Sequence, residues 1–259
     1  MAIITLTTDF GSLYPAAMKG IILRIDPAAT IVDITHSIPP TNIQSGAFAL
    51  YSVVSHFPMG TIHVAVIDPG VGTDRKAIVV RAGGQYFVGP DNGLLIPAAT
   101  FLGNLEVYEI KSELIPDEVS STFHGRDIFA PVAAYLSKGM DLKKIGRIAD
   151  EYVNLDFSGY MIQKDYIKTK VIYIDEFGNL VTNIPEGNFV KSLHQGAVLS
   201  IAGRQMPFFK TYGEVPKGTL LSLIGSHGFF EIAVNHGSAS KLLHLNNGNE
   251  ITIGIISND

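Results

Sequence analysis

The chain has 259 residues, of which 46% are hydrophobic and 17% charged, and its formal net charge is −5. This balance supports one large or, more readily, two packed domains. It excludes a disordered chain and, with no Lys/Arg run, argues against nucleic acid as a partner. Cysteine is absent, which rules out disulfides, thiolate metal sites and a Cys nucleophile and fits a reducing compartment. The opening MAIITLTTDFG has no basic region, and no apolar run approaches the roughly 20 residues that span a bilayer, so a soluble, cytoplasmic protein with no membrane partner is expected.

Ile3–Thr8 reads as a first strand, ended by Asp9-Phe10-Gly11, which leaves Asp9 at a carboxyl end. There it could accept hydrogen bonds from a ribose diol or close an Asx turn. Pro15 suits the first turn of a helix to about Ile25. Thr30–Ile34 is a second strand, and Thr41 or Asn42 caps a helix running through about His56. Val64–Ile67 is apolar on both faces, as in a central strand of a buried sheet. It breaks at Asp68-Pro69-Gly70-Val71-Gly72, and Arg75 follows. Asp68, a glycine loop and a guanidinium at one strand end form a candidate site, or an ordinary capped turn with a surface ion pair. Ala77–Ala82 and Gln85–Gly89 flank Gly83-Gly84, a hairpin signal. A helix over Leu94–Leu102, a strand over Glu106–Ile110 and a polar connector, Lys111–Ser121, lead to Phe123-His124-Gly125. The helix predicted over Ile128–Lys138 follows; Gly125 just before it can expose backbone N–H groups, and His124 is either a functional or a packed imidazole. Alternating strands and helices mark an α/β layer domain over residues 1–153.

After a linker at 154–165 the pattern changes to short strands with turns between them: Ile167–Ile174, Leu180–Ile184, Ala197–Ala202, Gln205–Phe208, Leu220–Ile224, Phe229–Val234 and Ile251–Ile256. One helix, about Ser238–Leu245, interrupts them. Residues 166–259 therefore read as a small antiparallel barrel or sandwich. Its polar groups fall in turns: Asp175, Phe177 and Asn179 in DEFGN, Ser226 and His227 in GSHG, Asn235 and Gly237 in VNHGS. They either shape those turns or line one end of the barrel. GxGxxG, GxxxxGK[ST], HExxH and GxSxG are all absent, and no metal ligand set or organic cofactor is indicated.

Four segments taken together, TTDFG, IDPGVGTDR, STFHGRD and DEFGNLVTNI, with VNHGSAS as a fifth, resemble the S-adenosyl-L-methionine hydroxide adenosyltransferases. These are relatives of the enzymes that fluorinate or chlorinate the same substrate. The resemblance covers nearly the whole chain. It implies an N-terminal α/β domain and a C-terminal β-barrel in a homotrimer, with each active site between two subunits. It implies that Asp9 binds the ribose hydroxyls and that Asp68, Arg75 and His124 hold a water or hydroxide beside C5′, with Phe123 and Gly125 alongside. Asp175 would take the methionine ammonium, Phe177 and Asn179 the adenine and sugar. Ser226 and His227 would meet the carboxylate, and Asn235 and Gly237 the adenine edge. The products would be adenosine and L-methionine, with no cofactor. The GSLYPAAMKG segment is shorter than the family's form, and His227 stands where the halogenases carry Arg. Against halogenation, the resemblance puts the Asp68 carboxylate where the halogenases carry an aromatic Tyr, and it would repel the halide. An idle nucleoside-binding protein and a metal-dependent nucleoside hydrolase are the other two readings.

Overall fold

The computed structural model describes residues 2–115 and 118–256. Pro116 and Asp117 of the expected polar connector, Met1, and the last three residues of the barrel segment lie outside them. The chain divides into two compact units, Met1–Asp156 and Phe157–Asp259.

The first unit is built from β1 (Ile3–Thr8), α1 (Tyr14–Ile25), β2 (Thr30–Thr35), α2 (Ile43–Val54), β3 (Ile62–Val66), β4 (Ala77–Ala82), β5 (Gln85–Pro90), α3 (Ile96–Leu102), β6 (Leu105–Ile110), α4 (Ala130–Ser137), α5 (Leu142–Ile145) and β7 (Gly146–Ile148). Its seven-stranded sheet has the order β2-β1-β3-β5-β4-β6-β7. The first four strands of that order run parallel and the rest pair antiparallel. The two faces of β3 explain its apolar run. Ile62, Val64 and Val66 pack with Met18 and Ile22 of α1 and Val132 and Ala133 of α4. On the opposite face Ile67, just past the strand, lies against α2, where a side chain at Gly46 would collide with it. The strand is dry on both sides because helices cover both.

From β1 the chain crosses to β2 on one side, then returns to place β3 on the other. The point between β1 and β3 is therefore where the winding direction reverses, the place at the strands' carboxyl ends where open α/β sheets bind ligands. Asp9 and Asp68 leave the sheet at that place.

The second unit holds β8 (Met161–Ile162), β9 (Tyr166–Ile174), β10 (Leu180–Pro185), α6 (Asn188–Ser192), β11 (Val198–Ile201), β12 (Arg204–Pro207), β13 (Leu220–Ile224), β14 (Phe229–Val234), α7 (Ala239–Leu243) and β15 (Glu250–Ile255). The strands run β12-β11-β15-β9-β10-β14-β13, with β8 beside β9. The two ends meet through a Phe208–Ser222 bridge, with Phe209 N–H donating to Ser222 O at 2.9 Å. The sheet is thus a nearly closed barrel around Ile167, Val171, Leu180, Leu199, Phe230, Ile232 and Ile253.

Elements absent from the sequence reading are short: α5, α6, β7 and β8 have two to five residues, too few to show a period. The helix expected from Ile128 starts differently. Gly125–Phe129 form a wide turn in which the Ala130 N–H bonds Gly125 O, five residues back, before α4 begins. Among the described residues no helix is long and apolar enough to cross a membrane.

Candidate active site

Asp68 lies two residues beyond β3. The loop after it turns at Gly72, whose φ of +77° suits glycine, and a Cβ there would strike the Ser121 carbonyl. That close approach brings the Asp68–Arg75 loop against the segment that leads into His124. Arg75 Nε donates to both Asp68 oxygens, at 3.1 and 3.0 Å, and Nη2 also reaches Oδ2. The same Nη2 lies 2.8 Å from His124 Nδ1. The pair is well buried, with the Asp68 side chain 4% and the Arg75 side chain 11% exposed, and the guanidinium sits over the Phe129 ring.

This geometry defines the protons. A guanidinium has only donors, so His124 Nδ1 must accept, and a neutral His124 carries its hydrogen on Nε2. Burial and then the Arg75 charge hold the imidazole below its ordinary pKa, with Asp68 and Asp127 partly opposing. His124 is therefore a neutral Nε2–H donor near pH 7, and of the trio only the Asp68 carboxylate retains lone pairs to accept from a ligand. The wide turn after His124 fixes its direction. Phe123 beside it makes edge-on contacts with Phe10 and Tyr14, at ring distances of 5.7 and 5.6 Å, and carries Arg126 on its face. Gly125 is buried, and a Cβ there would come within 3.0 Å of Phe10 Cε2 and 3.3 Å of Met18 Sδ.

Asp9 accepts the Thr41 N–H on Oδ2 at 2.8 Å. Thr41 delivers that N–H from the left-handed region, φ +63°, an uncommon setting for a β-branched residue. Asn42, one of the two caps expected, is the residue that caps α2, accepting from Ser45 N–H at 3.0 Å.

In the second unit the DEFGN and VNHGS segments are brought together. Ser240 N–H donates to Gly178 O at 2.9 Å, and a Cβ at Gly178 would strike Ser238. Asp175 shapes its turn: Oδ1 accepts the N–H of Phe177 and of Asn179, at 3.0 and 2.8 Å, and Oδ2 accepts Asn179 Nδ2 at 2.9 Å. Phe177 stands at the tip, 78% exposed. Asn235 is buried and donates to Val215 O at 2.7 Å. Gly237 N–H closes a turn onto Val234 O. In the GSHG turn Ser226 is exposed, whereas the His227 ring folds back toward β14. Among the described residues no three His, Asp or Glu side chains group so as to hold a metal ion.

Residues 4–146 match the SAM hydroxide adenosyltransferase N-terminal domain, and residues 169–252 the C-terminal domain of the same name. The chain belongs to this family. Its relatives include proteins named (R)-S-adenosyl-L-methionine hydrolase. The one from Methanocaldococcus jannaschii is 41% identical over 97% of this chain and 95% of its own length. The one from Salinispora arenicola is 38% identical over 96% and 97%. A fluorinase from Nocardia brasiliensis is more distant, at 28% identity over 93% of this chain and 92% of its own. A crystal structure of an uncharacterized conserved protein from Thermotoga maritima, 39% identical, has a TM-score of 0.87 and covers 98% of this chain and 99% of that one.

For a SAM hydroxide adenosyltransferase, three contacts are not legible in the sequence. Thr41 holds Asp9, and its signal was weak, a Thr after Pro39-Pro40. Phe129 lies under Arg75 and looked like any core residue. Glu231, buried in β14, bonds both Tyr212 and His227. Its signal was a lone carboxylate in the apolar run FFEIAV.

Proposed function

We propose that this chain hydrolyses S-adenosyl-L-methionine to adenosine and L-methionine by attack of water or hydroxide at ribose C5′. The observation that carries this is Arg75 joining Asp68 and His124 beside the reversal point of the sheet. A water there accepts from His124 Nε2–H and donates to Asp68. Its remaining lone pair forms the O–C5′ bond as the C5′–S pair returns to sulfur, and the lost proton passes to Asp68 and then to solvent. The sulfonium is an excellent leaving group, so catalysis is mainly positional, and orienting a nucleophile in a dry site is worth several kcal/mol. Asp9 holds the ribose diol, Phe123 and Gly125 wall the pocket, and Arg75 favours the hydroxide-like oxygen by its charge. A carboxylate only 4% exposed would repel a halide, which separates this chain from the halogenating branch.

Asp175 takes the methionine ammonium, and the Ser226–His227 turn its carboxylate. Phe177, Asn179, Asn235 and Gly237 lie at the adenine and sugar. The site is completed in a cytoplasmic homotrimer, where the first unit of one subunit meets the second unit of its neighbour. Exposed Leu13 and Tyr14 in one unit and Phe177 in the other support such a junction. No cofactor takes part. The (R) descriptor in the relatives' names points to the sulfonium epimer with which to begin.

The test is a chromatographic time course with each sulfonium epimer in ¹⁸O water, with and without chelator. Adenosine labelled at the 5′ oxygen plus methionine, unaffected by chelator, is expected. Adenosine binding without turnover would make the protein a nucleoside-binding protein. Free adenine and chelator-sensitive activity would make it a metal-dependent nucleoside hydrolase.

A further inference from the structure

His36, one residue past β2, ties the carboxyl ends of β1 and β2 to α1. Its Nδ1 lies 2.9 Å from the Oγ1 of Thr8, the residue before Asp9, and that Oγ1 also accepts the Phe10 N–H at 3.3 Å. The His36 carbonyl accepts the Gly11 N–H at 3.0 Å. The Asp9-Phe10-Gly11 turn is therefore held on both sides by one residue. On the far edge of the ring, Nε2 is shielded from solvent and lies 3.1 Å from Asp33 Oδ1 as a charge contact. Lys19 of α1 donates to Asp33 Oδ2 at 2.6 Å. An ionised Asp33 can only accept, so it favours the ring hydrogen on Nε2 and leaves Nδ1 to accept the Thr8 O–H. The Thr8 hydroxyl, which is fully buried, then both donates and accepts.

Regular pairing would not put His36 there. β1 and β2 run parallel with Leu6 opposite Asp33 but Thr7 opposite Thr35, so Ile34 is an extra residue in β2. Without that bulge Thr8 would face Thr35; with it, the next position in register is His36. Bulges are rare in parallel pairs, and they re-aim side chains beside active sites. The residue that gains from this one is Asp9. Its Oδ2 accepts the Thr41 N–H at 2.8 Å, so Oδ1 is the oxygen left to meet a diol. Such a contact needs that oxygen fixed in direction, because a hydrogen bond weakens steeply as its angle closes.

We infer that His36 is a positioning residue that sets this protein's selectivity for ribose over deoxyribose. By holding the Thr8 hydroxyl and the Gly11 N–H, it fixes the turn in which Asp9 stands and so the direction of the Asp9 carboxylate. Asp33 and Lys19 hold the ring in turn. The Asp68–Arg75–His124 trio has bonds of its own. Loosening the turn therefore costs affinity for the nucleoside and leaves the chemical step nearly intact. This role rests on the proposal that Asp9 holds the ribose diol.

The experiment measures binding of adenosine and of 2′,3′-dideoxyadenosine to the full-length protein by calorimetry, together with steady-state kinetics on S-adenosylmethionine. His36→Leu fills much of the ring's space but cannot bond Thr8, whereas His36→Asn keeps an acceptor at the place of Nδ1. His36→Leu should weaken adenosine binding about fivefold and leave dideoxyadenosine within about twofold. It should raise KM about fivefold with kcat within about threefold. His36→Asn should stay within about twofold of wild type for both nucleosides. Equal weakening of the two nucleosides by His36→Leu, no weakening of either, or the same loss in His36→Asn would overturn the role of His36. The premise has its own control. Asp9→Ala should erase the wild type's preference for adenosine over dideoxyadenosine. If that preference survives, or wild type shows none, Asp9 does not hold the diol and the placement itself is wrong. Should His36→Leu not fold, Thr8→Val removes the same bond and Thr8→Ser keeps it. The same split between nucleosides is then expected for Thr8→Val alone, and equal losses in both variants would count against the inference.

Discussion

Replacing Arg75 by Lys keeps the positive charge and removes the fork. In the native site Nε contacts both Asp68 oxygens, at 3.1 and 3.0 Å, while Nη2 spans Asp68 and, at 2.8 Å, His124 Nδ1. One ammonium can replace the bond to the carboxylate but cannot also reach the imidazole in the same geometry. Of the bonds lost, the one that bears on the nucleophile is the charge-assisted bond to His124, worth about 1.5–3 kcal/mol. At about 1.4 kcal/mol per tenfold, kcat should fall by one to two orders of magnitude. KM should stay within about threefold, because Arg75 acts through Asp68 and His124 and not on the substrate's own groups. Folding should change little, since Asp68 keeps a cation. Arg75→Met, in contrast, strands a carboxylate that is 4% exposed and should cost about 3–5 kcal/mol in stability. Initial rates by chromatography and urea unfolding of both variants are the assays. A kcat for Arg75→Lys within about twofold of wild type, or a loss confined to KM, would refute the bridging role.

Arg75→Gln removes the charge that helps to hold His124 neutral, so the acidic limb of the kcat profile should move to higher pH; an unmoved limb would mean that burial alone sets that proton. His63 yields a stability prediction. Burial lowers its pKa from 6.5 to about 4, so between those values the unfolded chain takes up a proton that the folded one refuses. Stability is complete above about pH 6.5 and declines as pH falls toward 4, by about 3 kcal/mol from this group. Comparing unfolding of wild type and His63→Gln at pH 7 and 4.5 should show the smaller acid loss in the variant, and parallel losses would contradict this. To test the proposed trimer, Asp68→Ala is mixed with Asp175→Asn subunits at substrate well below KM, and activity should be restored. Random exchange gives about a quarter of the sites both intact halves, and no recovery after verified exchange would place each site within one subunit.

Much of this was legible in the amino-acid pattern. The apolar run at Val64–Ile67 marked a strand covered on both faces, and Gly83-Gly84 marked a hairpin that the structure turns with φ of +56° and +77°. Asp68 and Arg75 are close in sequence and stood out together. His124 joins them from 49 residues away, a link that the family resemblance suggested and local pattern could not. Asp175 shows the limit of local reasoning. A carboxylate before Phe-Gly-Asn can close a turn or hold a ligand, and here three donors from its own turn already reach it. Glu231 was illegible for a different reason. One polar residue in a strand ordinarily points to water, and only Tyr212 and His227, supplied by other turns, make its burial tolerable. The left-handed backbone of Thr41 likewise depends on an acceptor, Asp9, that lies 32 residues earlier.

The wide turn after His124 also sets how this protein can change over generations. An α-helix advances about 100° per residue, and the Ala130-to-Gly125 bond accommodates one residue more than an ordinary helical turn would. Losing any single residue from Gly125–Phe129 could leave a regular helix, chemically unremarkable and well packed, yet it would swing the imidazole about 100° away from Arg75. Substitutions there can be gradual, but a change in residue count cannot. The spacing between His124 and Ala130 behaves as an all-or-none character: insertions and deletions that lineages of this enzyme accumulate should fall in exposed loops elsewhere and spare the five positions Gly125–Phe129.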